Sequence, residues 1–461
     1  MSSLSSPIDN RGSLDTAEIA LLSNNSGEFK VYLYRWAVVF LFVFAGVANA
    51  MILLSWAPIS DKANDYWDGI GLTAVNLLNV IFQIMYLPGT LLALRISEKN
   101  LLRTVLLTGG GLTTAGCLIR LIGGLVRESG VTANGSYVLI LLGTALVGLA
   151  QPFYLNMPAK IAATWFAVSE RDIATTLCSL ANPLGSAIGS FIPAMFVTSD
   201  DHGTVHRGIR ELLLVQFIVA MIAFALTVLL FRDEPPTPPT ASAKTMQMNK
   251  KSNQMFIEVT NLFQNGEYVK LFCAFTIILG SLNALAALLN QLPGDYSNSE
   301  VGLTGAALIM SGFCGAFLTG FVLDYSKAYT TVLKAAYFLA VVCWIFFMSN
   351  CRSNNLALFV ISAAFLGLFT VPTIPATIVS TVECSYPIPE DASVGFLYIG
   401  ANVMAIPMTF LGQVLLSIDA GDSPAPFFPY GIWVMGLLVL CLLPIFLFKG
   451  KYLRLQEDTH Q

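Results

Sequence analysis

Several side-chain amides lie inside strongly apolar stretches of this 461-residue sequence, and five of them are the main candidates for a ligand site. An amide carries both hydrogen-bond donors and acceptors, and burying it without a partner is unfavourable. Such a residue therefore either binds a small polar ligand or hydrogen-bonds a neighbouring helix, which contributes about 0.6 kcal/mol. Both interpretations stay open for the five, which are Asn49, Gln151, Asn182, Asn283 and Asn402.

Part of this set belongs to a stretch that the sequence contains twice. The run PAKI at 158–161 returns as PATI at 375–378. The spacing from Glu170 to Asn182 equals that from Glu390 to Asn402, and Asn49-Ala50 returns as Asn283-Ala284 in the same order along the chain. Self-similarity between halves is typical of internally duplicated transporters. The repeats therefore favour a ligand site for the pairs Asn49/Asn283 and Asn182/Asn402.

The composition indicates a protein surrounded by lipid. The chain is 55% hydrophobic and 11% charged, whereas soluble domains carry about 25% charged residues. The net charge is -4 without a basic stripe, so we expect a lipid bilayer and a small solute as partners, and no nucleic acid. Eight scattered cysteines without paired spacing read as buried apolar residues, so we expect no disulfide framework, metal site or cofactor. We expect a monomer.

Twelve stretches are long and apolar enough for membrane-spanning helices, which need about 20 residues. They lie at 34–58, 70–94, 101–124, 136–158, 173–198, 211–231, 268–291, 302–323, 331–349, 355–379, 392–417 and 428–448. We predict a disordered cytosolic tail at 1–33, a six-helix bundle at 34–231, a cytosolic linker with a surface helix at 232–267, a second six-helix bundle at 268–448 and a cytosolic tail at 449–461. The predicted fold class is thus an all-α membrane protein of two pseudo-symmetric halves.

Prolines and small residues inside these spans indicate bends and close contacts. Gly185 and Gly189 are spaced for close helix packing. The bends are expected where proline removes a backbone donor, at Pro58, Pro152, Pro158, Pro183, Pro193, Pro372, Pro375 and Pro407.

The distribution of positive charge predicts the orientation. If the N-terminus is cytosolic, only six of the 24 Lys and Arg residues lie outside, namely Lys62, Arg120, Arg127, Arg207, Arg210 and Arg352. Positive charge collects in cytosolic loops, so both termini are predicted to be cytosolic. The sequon at Asn134 then lies outside and is a candidate glycosylation site.

Charged residues at the predicted cytosolic ends of spans are candidates for gating. In GFVLDYSKAYTTVLK, Gly320, Asp324 and Lys327 match the loop pattern of the major facilitator superfamily, and Glu98 with Arg103 forms a weaker first copy. The chain thus resembles that superfamily, which implies two six-helix halves rocking about a central site. We expect Asp324 and Glu98 near the N-termini of spans eleven and five, where the helix dipole favours negative charge. Glu383 is expected to pair with Lys327 or Arg171, or to act as a proton site.

Within that superfamily the chain resembles solute carrier family 49, the feline leukaemia virus subgroup C receptor-related transporters. The motifs that carry this resemblance are RWAVV, NAMILLSWAPISD, MPAKIAATWF, LANPLG, EPPTPP, TVECSYP and YLRLQ. Members move choline, ethanolamine, haem or a vitamin-like amine, at the plasma membrane or in lysosomes. Choline-moving members hold the quaternary ammonium with two aromatic rings, one on the first span and one on the seventh. The resemblance places Leu53 and Asn283 at those two positions. Trp56, one turn further along, is a candidate substitute ring or an interfacial anchor.

We therefore predict a facilitative transporter of a small organic solute, an amine, vitamin-like or haem-related metabolite, in the plasma or endolysosomal membrane. The alternative is a membrane receptor or scaffold that binds a ligand or partner without moving it. An enzyme is not expected, because the sequence contains no HExxH, GxSxG or paired intramembrane carboxylates.

Overall fold

The computed structural model describes residues 30–99, 102–129, 132–197, 202–240, 255–292, 296, 298–353, 355–419, 428–450 and 452–459. Every regular element within these ranges is a helix. A helix satisfies its backbone polar groups internally, which a chain surrounded by lipid requires. The predicted all-α class is therefore confirmed.

The first half of the chain contains spans one to six. Their helices are Arg35–Ala50 (one), Leu72–Lys99 (two), Leu102–Glu128 (three), Ala133–Ala150 with Pro152–Leu155 and Pro158–Trp165 (four), Arg171–Ser179 with Ala181–Phe196 (five) and His202–Leu230 (six). A 3-10 helix, Ala57–Ile59, and a short helix, Ser60–Tyr66, connect spans one and two.

The second half repeats this order in spans seven to twelve. Their helices are Gly266–Leu288 (seven), Asn298–Ser326 (eight), Tyr329–Asn350 (nine), Leu356–Thr370 with Thr373–Ser385 (ten), Glu390–Asp419 (eleven) and Pro429–Leu447 (twelve). Helix Met255–Gln264 precedes span seven, the 3-10 helix Leu289–Gln291 follows it, and helix Leu453–Thr459 follows span twelve.

Ten of these spans are long and apolar enough to cross a membrane. The other two contain no single regular helix of sufficient length: the regular helix of span one has 16 residues, and span five is divided at Leu180. Exposed apolar side chains on the outer surface include Phe40, Phe191, Leu318 and Leu443. Patches of this kind are rare on water-soluble monomers, so this surface faces lipid. The predicted twelve-span architecture is confirmed.

Prolines coincide with the interruptions. Pro152 and Pro158 divide span four, Pro183 follows the break in span five, and Pro372 precedes the second helix of span ten. Proline lacks a backbone donor and its ring clashes with the preceding turn, so the helix stops or bends there. Other prolines are accommodated inside continuous helices, at Pro88, Pro193, Pro407 and Pro444.

Among the described residues, two pairs of spans make the most extensive contacts between the halves: span two packs against span eleven, and span five packs against span eight. Span two of the first half corresponds to span eight of the second, and span five corresponds to span eleven. Exchanging the halves therefore converts the first pair of spans into the second. The interface therefore has the pseudo-symmetry expected of a duplicated chain. Aromatic rings contribute to it, since Tyr86 of span two lies 6.4 Å from Tyr398 of span eleven between ring centroids.

Gly185 and Gly189 allow span five to approach span one closely. A Cβ on Gly185 would lie 2.6 Å from Ala50 Cβ, and a Cβ on Gly189 would lie 2.1 Å from the Met51 carbonyl oxygen. Larger side chains would force the helices apart, so the predicted packing role agrees with the geometry.

The chain ends and several loops share one side of the bundle, which we call the termini side. At the start of the described chain Arg35 pairs with Glu170 at 2.7 Å, and near its end Arg454 pairs with Glu390 at 3.1 Å. The predicted surface helix before span seven corresponds to Met255–Gln264, with Leu262 buried. Residues 1–29 and 241–254 of the predicted tail and linker lie outside the described residues, and the predicted domain boundaries stay predictions.

Candidate functional site

A small cavity lies inside the first half where spans one, four and five meet. Its volume of about 10 Å³ holds one water-sized molecule. Three of the five predicted amides line it, which brings together parts of three spans. The lining residues are Gly46, Asn49, Gln151, Tyr154, Leu155, Pro158, Cys178, Ser179, Ala181 and Asn182.

Helix breaks position two of these amides. Gln151 lies between two helical segments of span four and directly precedes Pro152. Asn182 follows the break at Leu180 in span five and directly precedes Pro183. Irregular backbone inside a membrane protein is tolerated where it lines a cavity or is buried in protein. The Gln-Pro and Asn-Pro pairs are thus sequence signals for this cavity that the repeat analysis alone did not use.

The three amides differ in how they are paired. Asn49 Nδ2 donates to Thr113 Oγ1 at 3.0 Å and to the Val147 carbonyl oxygen at 3.1 Å, so Asn49 ties span one to spans three and four. Ser186 Oγ donates weakly to Asn182 Oδ1 at 3.4 Å. The Gln151 side chain is 5% exposed and makes no hydrogen bond to any residue that the structure describes. Gln151 therefore has the amide with the most capacity for a ligand.

The two amides of the second half lie apart from this cavity. Asn402 is buried, and its Nδ2 donates to the Tyr398 carbonyl oxygen one turn earlier in the same helix at 2.9 Å. Asn283 is half-buried on span seven, and its side chain has no hydrogen bond to another residue within the described ranges. The predicted pairs are therefore not gathered in one space in this conformation, and their binding role stays a prediction.

Trp56 is buried in the first half, towards the end that lies opposite the termini side. Its ring packs against Trp67 at 5.1 Å, and the Arg120 guanidinium lies 5.7 Å from its centroid. Only 1% of Trp56 is exposed. A cationic ligand would have to displace Arg120 to reach that ring face, so Trp56 is poorly placed as a substitute ring in this conformation.

Three ion pairs join the halves on the termini side, and we call them the inter-half ion-pair layer. They are Arg171–Glu383 at 3.0 Å, Lys327–Asp172 at 2.8 Å and Lys160–Asp391 at 3.0 Å. Each pair contains one residue from each half. The carboxylates are nearly fully buried, so the pairs are shielded from solvent screening. The layer closes the space between the halves on this side.

Asp324 completes the layer by binding the start of span five. Its two carboxylate oxygens accept the backbone N–H groups of Asp172 at 3.1 Å and Ile173 at 2.7 Å. Lys327 also pairs with Asp324 at 2.9 Å. The prediction that Asp324 lies at the N-terminus of span eleven is wrong, because Asp324 lies in the last turn of span eight and that span packs against span five of the other half. A carboxylate at the start of span five is stabilised by the helix dipole and by free backbone donors.

The remaining predicted gating residues lie beside the layer. The Arg103 backbone N–H donates to Asp233 Oδ1 at 2.7 Å, and its guanidinium donates to the Val228 carbonyl oxygen at 2.7 Å. These contacts stay within the first half. Glu98 is half-buried in the last turn of span two, next to Ser97, which accepts a hydrogen bond from Lys160. A gating role for Glu98 and Arg103 stays a prediction.

The C-terminal helix is tied to the same layer. Glu383 Oε2 accepts the backbone N–H of Leu455 at 2.9 Å, while Arg454 pairs with Glu390 between two nearly buried side chains. The partners of Glu390 and Asp391, Arg454 and Lys160, come from distant parts of the chain. The sequence analysis did not select Lys160, Asp172 and Asp391 of the layer or the neighbouring Arg454 as gating residues, although Lys160 lies in the repeated stretch.

Asn134 lies exposed in the first turn of the helix that begins span four, where the Thr132 hydroxyl accepts the Gly135 N–H. Its glycosylation stays a prediction. No group of three or more His, Cys, Asp or Glu residues within the described ranges could hold a metal ion.

Two six-helix halves that meet through paired spans, with polar side chains at helix breaks and an ion-paired layer on one side, define a helical membrane transporter. The family model of the Major Facilitator Superfamily matches residues 36–386. The chain belongs to this superfamily. It is therefore a multi-pass membrane transporter of a small solute and not an enzyme.

Relatives with curated names cover most of the chain. It is 29% identical to "Solute carrier family 49 member A3" of Xenopus tropicalis, over 96% of this chain and 93% of the relative. It is 27% identical to "Choline/ethanolamine transporter FLVCR2" of Homo sapiens, over 87% of this chain and 75% of the relative. The resemblance to solute carrier family 49 is confirmed.

Solved structures share the fold. The fucose:proton symporter FucP of E. coli has a TM-score of 0.66 at 14% identity and covers 91% of this chain and 98% of its own. A double-tryptophan variant of XylE has a TM-score of 0.69 at 13% identity and covers 93% of this chain and 99% of its own. At such low identity these matches support the fold alone.

Proposed function

We propose that this chain belongs to solute carrier family 49 and moves a small organic metabolite, an amine or vitamin-like or haem-related compound, by facilitated alternating access. The observation that carries the proposal is the convergence of Asn49, Gln151 and Asn182 on one cavity, with the Gln151 amide unpaired among the described residues. The cavity is too small for such a solute in the present conformation, so binding requires it to widen as the halves rock.

The inter-half ion-pair layer is the cytosolic gate in this proposal. The termini side carries Lys160, Arg171, Lys327 and Arg454, in agreement with a cytosolic placement of both chain ends. Glu383 is engaged by Arg171 and by the Leu455 N–H, which supports a gating role over a proton site. We place the protein, as a monomer, in the plasma or endolysosomal membrane.

The solute is proposed to differ from choline. In the choline-moving branch of the family two aromatic rings hold the quaternary ammonium, and Leu53 and Asn283 stand at those positions here. Neither side chain has a ring face to offer a cation. The amides of the cavity suit a ligand with hydrogen-bonding groups instead.

Replacing Gln151 by alanine is expected to weaken solute binding. The change removes one donor and one acceptor from the cavity, and a lost hydrogen bond of about 1 kcal/mol raises the Kd about five- to tenfold. The measurement is the thermal stability of the purified protein against amines, vitamins, haem and neutral polar metabolites, since a bound ligand raises the apparent stability.

Gln291→Ala is the matched control, because Gln291 is an exposed glutamine in the 3-10 helix after span seven. It should leave the ligand response unchanged. An equal response in Gln151→Ala and the wild type would place the site elsewhere. If no compound stabilises the wild type, the receptor or scaffold alternative gains weight.

The double substitution Leu53→Trp with Asn283→Tyr is expected to raise the affinity for choline-like cations. Two rings would supply cation–π contacts of about 0.5–2 kcal/mol each, which corresponds to about tenfold or more in Kd. Choline binding to the purified protein measures this. Leu54→Trp with Asn283→Tyr moves the first ring by one position and should gain less. An unchanged choline affinity would show that the two positions do not face one solute.

A further inference from the structure

Arg120 is a buried cation inside the first half, and no ion pair joins it to a carboxylate among the described residues. The sequence analysis placed it at the outer end of span three, but it lies within the helix Leu102–Glu128 and only 1% of it is exposed. Its Nη2 donates to Ser55 Oγ at 3.2 Å, whereas Nε and Nη1 are buried without a partner among the described residues. No described carboxylate pairs with it. A buried charge of this kind is strongly unfavourable unless something compensates it.

Two further buried side chains near Arg120 also lack partners within the described part of the chain. Trp56 Nε1 is one, and its indole ring lies against the Arg120 guanidinium. Gln216 of span six is the other: it is 1% exposed, and both its Nε2 and Oε1 are unpaired. Buried polar groups in native proteins are nearly always satisfied, so these groups have hydrogen-bonding capacity for a small ligand.

The contacts between spans three and six place Gln216 and Arg120 at the same position along the helix axes. Thr114 Oγ1 donates to the Ala220 carbonyl oxygen at 3.2 Å, and a Cβ on Gly124 would lie 2.8 Å from Leu213 Cδ1. Arg120 lies between Thr114 and Gly124 on span three. Gln216 lies between Leu213 and Ala220 on the antiparallel span six.

The backbone of span one is irregular at the same place. The regular helix ends at Ala50, and residues 51–56 form turns before the 3-10 helix Ala57–Ile59. Both Ser55 and Trp56, the residues that contact Arg120, belong to this segment. In transporters, interrupted helices and their loose backbone groups are where small solutes and ions bind.

We propose that a small monovalent anion binds in the first half among Arg120, Gln216 and Trp56. The unpaired groups are the Nε and Nη1 of the guanidinium, the indole N–H, and the amide nitrogen and oxygen of Gln216. Donors therefore outnumber the single acceptor, and the net charge of the cluster is positive. A halide or a carboxylate group has the matching charge and accepts several N–H bonds. The site is distinct from the amide cavity, and its occupancy does not depend on which solute that cavity carries.

The test uses purified full-length protein in buffered sodium sulfate, and the anions are exchanged in the molar ratio that keeps the ionic strength constant. Chloride or acetate replaces the sulfate stepwise while the thermal unfolding temperature is recorded. We expect a saturable rise in that temperature with at least one of these anions, because a ligand that binds only the folded state stabilises it by mass action. A response to chloride alone identifies a halide site, and a response to acetate alone identifies a carboxylate site.

Arg120→Met is expected to abolish the saturable response. The matched control is Arg210→Met, since Arg210 lies on span six with a partly exposed pair to Glu128 at 3.0 Å, and it should keep the wild-type response. If Arg120→Met does not fold, Gln216→Leu and Trp56→Phe retain the charge and each should raise the anion Kd about tenfold, as expected for a hydrogen bond to a charged group.

Two results would overturn the proposal. One is a wild-type protein whose stability does not respond to chloride or acetate at any concentration. The other is an Arg120→Met protein, or the Gln216→Leu and Trp56→Phe pair, with the same anion Kd as the wild type.

Discussion

Glu383→Gln is expected to open the halves on the termini side. The substitution removes the negative charge from a buried ion pair in which the Arg171 side chain is only 5% exposed. Breaking a buried ion pair in this way costs about 3–5 kcal/mol. Because the pair joins the two halves, that cost falls on the closed conformation alone. It shifts the equilibrium towards the open one by about two to three orders of magnitude.

Cysteine labelling measures this shift. Ala159 is 4% exposed and lines a cavity between the halves together with Arg171 and Glu383, so a cysteine at this position is protected only while the layer is closed. The background protein carries Cys273→Ser and Cys314→Ser, which removes the two exposed cysteines of the described chain. Maleimide labelling of Ala159→Cys should be slow in this background and fast after Glu383→Gln.

Glu267→Gln is the matched control, because Glu267 pairs with Lys270 at 2.7 Å within the second half. It makes the same chemical change without touching the interface and should leave labelling slow. Arg171→Met combined with Glu383→Leu should recover much of the closed state, since replacing both partners by apolar groups is far less costly than removing one. Equal labelling rates in Glu383→Gln and its parent would contradict the gate.

Gly367→Ala is expected to destabilise the second half. A Cβ at this position would lie 1.8 Å from the Leu308 carbonyl oxygen and 2.7 Å from Ser311 Oγ. The contact is with backbone, so spans eight and ten must separate. Such overpacking costs about 1–3 kcal/mol, or more where the backbone cannot yield. The same crossing relies on Gly315, whose Cβ would lie 2.0 Å from the Leu368 carbonyl oxygen.

The midpoint of thermal denaturation in detergent measures this effect, and we expect it to fall by several degrees. Gly436→Ala in span twelve is the control, because a Cβ there meets nothing within 4 Å. It should be neutral or slightly stabilising, since alanine favours a helix over glycine by about 1 kcal/mol. A Gly367→Ala protein as stable as Gly436→Ala would show that spans eight and ten do not cross at this point.

Much of the fold could be predicted because hydropathy is a local property. Twelve apolar stretches separated by polar loops determine twelve helices, whatever their final arrangement. The sequence could also locate many breaks, since a proline acts on its own turn of helix. It could not distinguish Pro152, which interrupts span four, from Pro407, which span eleven accommodates. Whether a proline interrupts its helix depends on how the neighbouring helices pack around it.

The candidate site was less predictable because hydrogen bonds and ion pairs join distant residues. The sequence selected Glu383 and offered Lys327 or Arg171 as its partner, and the structure pairs it with Arg171 while Lys327 binds Asp172 and Asp324. Similar amides have different surroundings: Asn49 is bonded to two neighbouring spans, whereas Gln151 is unpaired within the described residues.

The sequence by itself determined the class of protein, the number of spans, the duplication and the set of polar residues from which a site can be built. Each of these follows from composition, local propensity or repeated order along the chain. Only the tertiary structure decided that Asn49, Gln151 and Asn182 share a cavity, that Lys160 meets Asp391, and that Arg120 is buried with no carboxylate paired to it within the described ranges. The physical reason is that these contacts depend on how helices pack across long sequence separations, which no local pattern encodes.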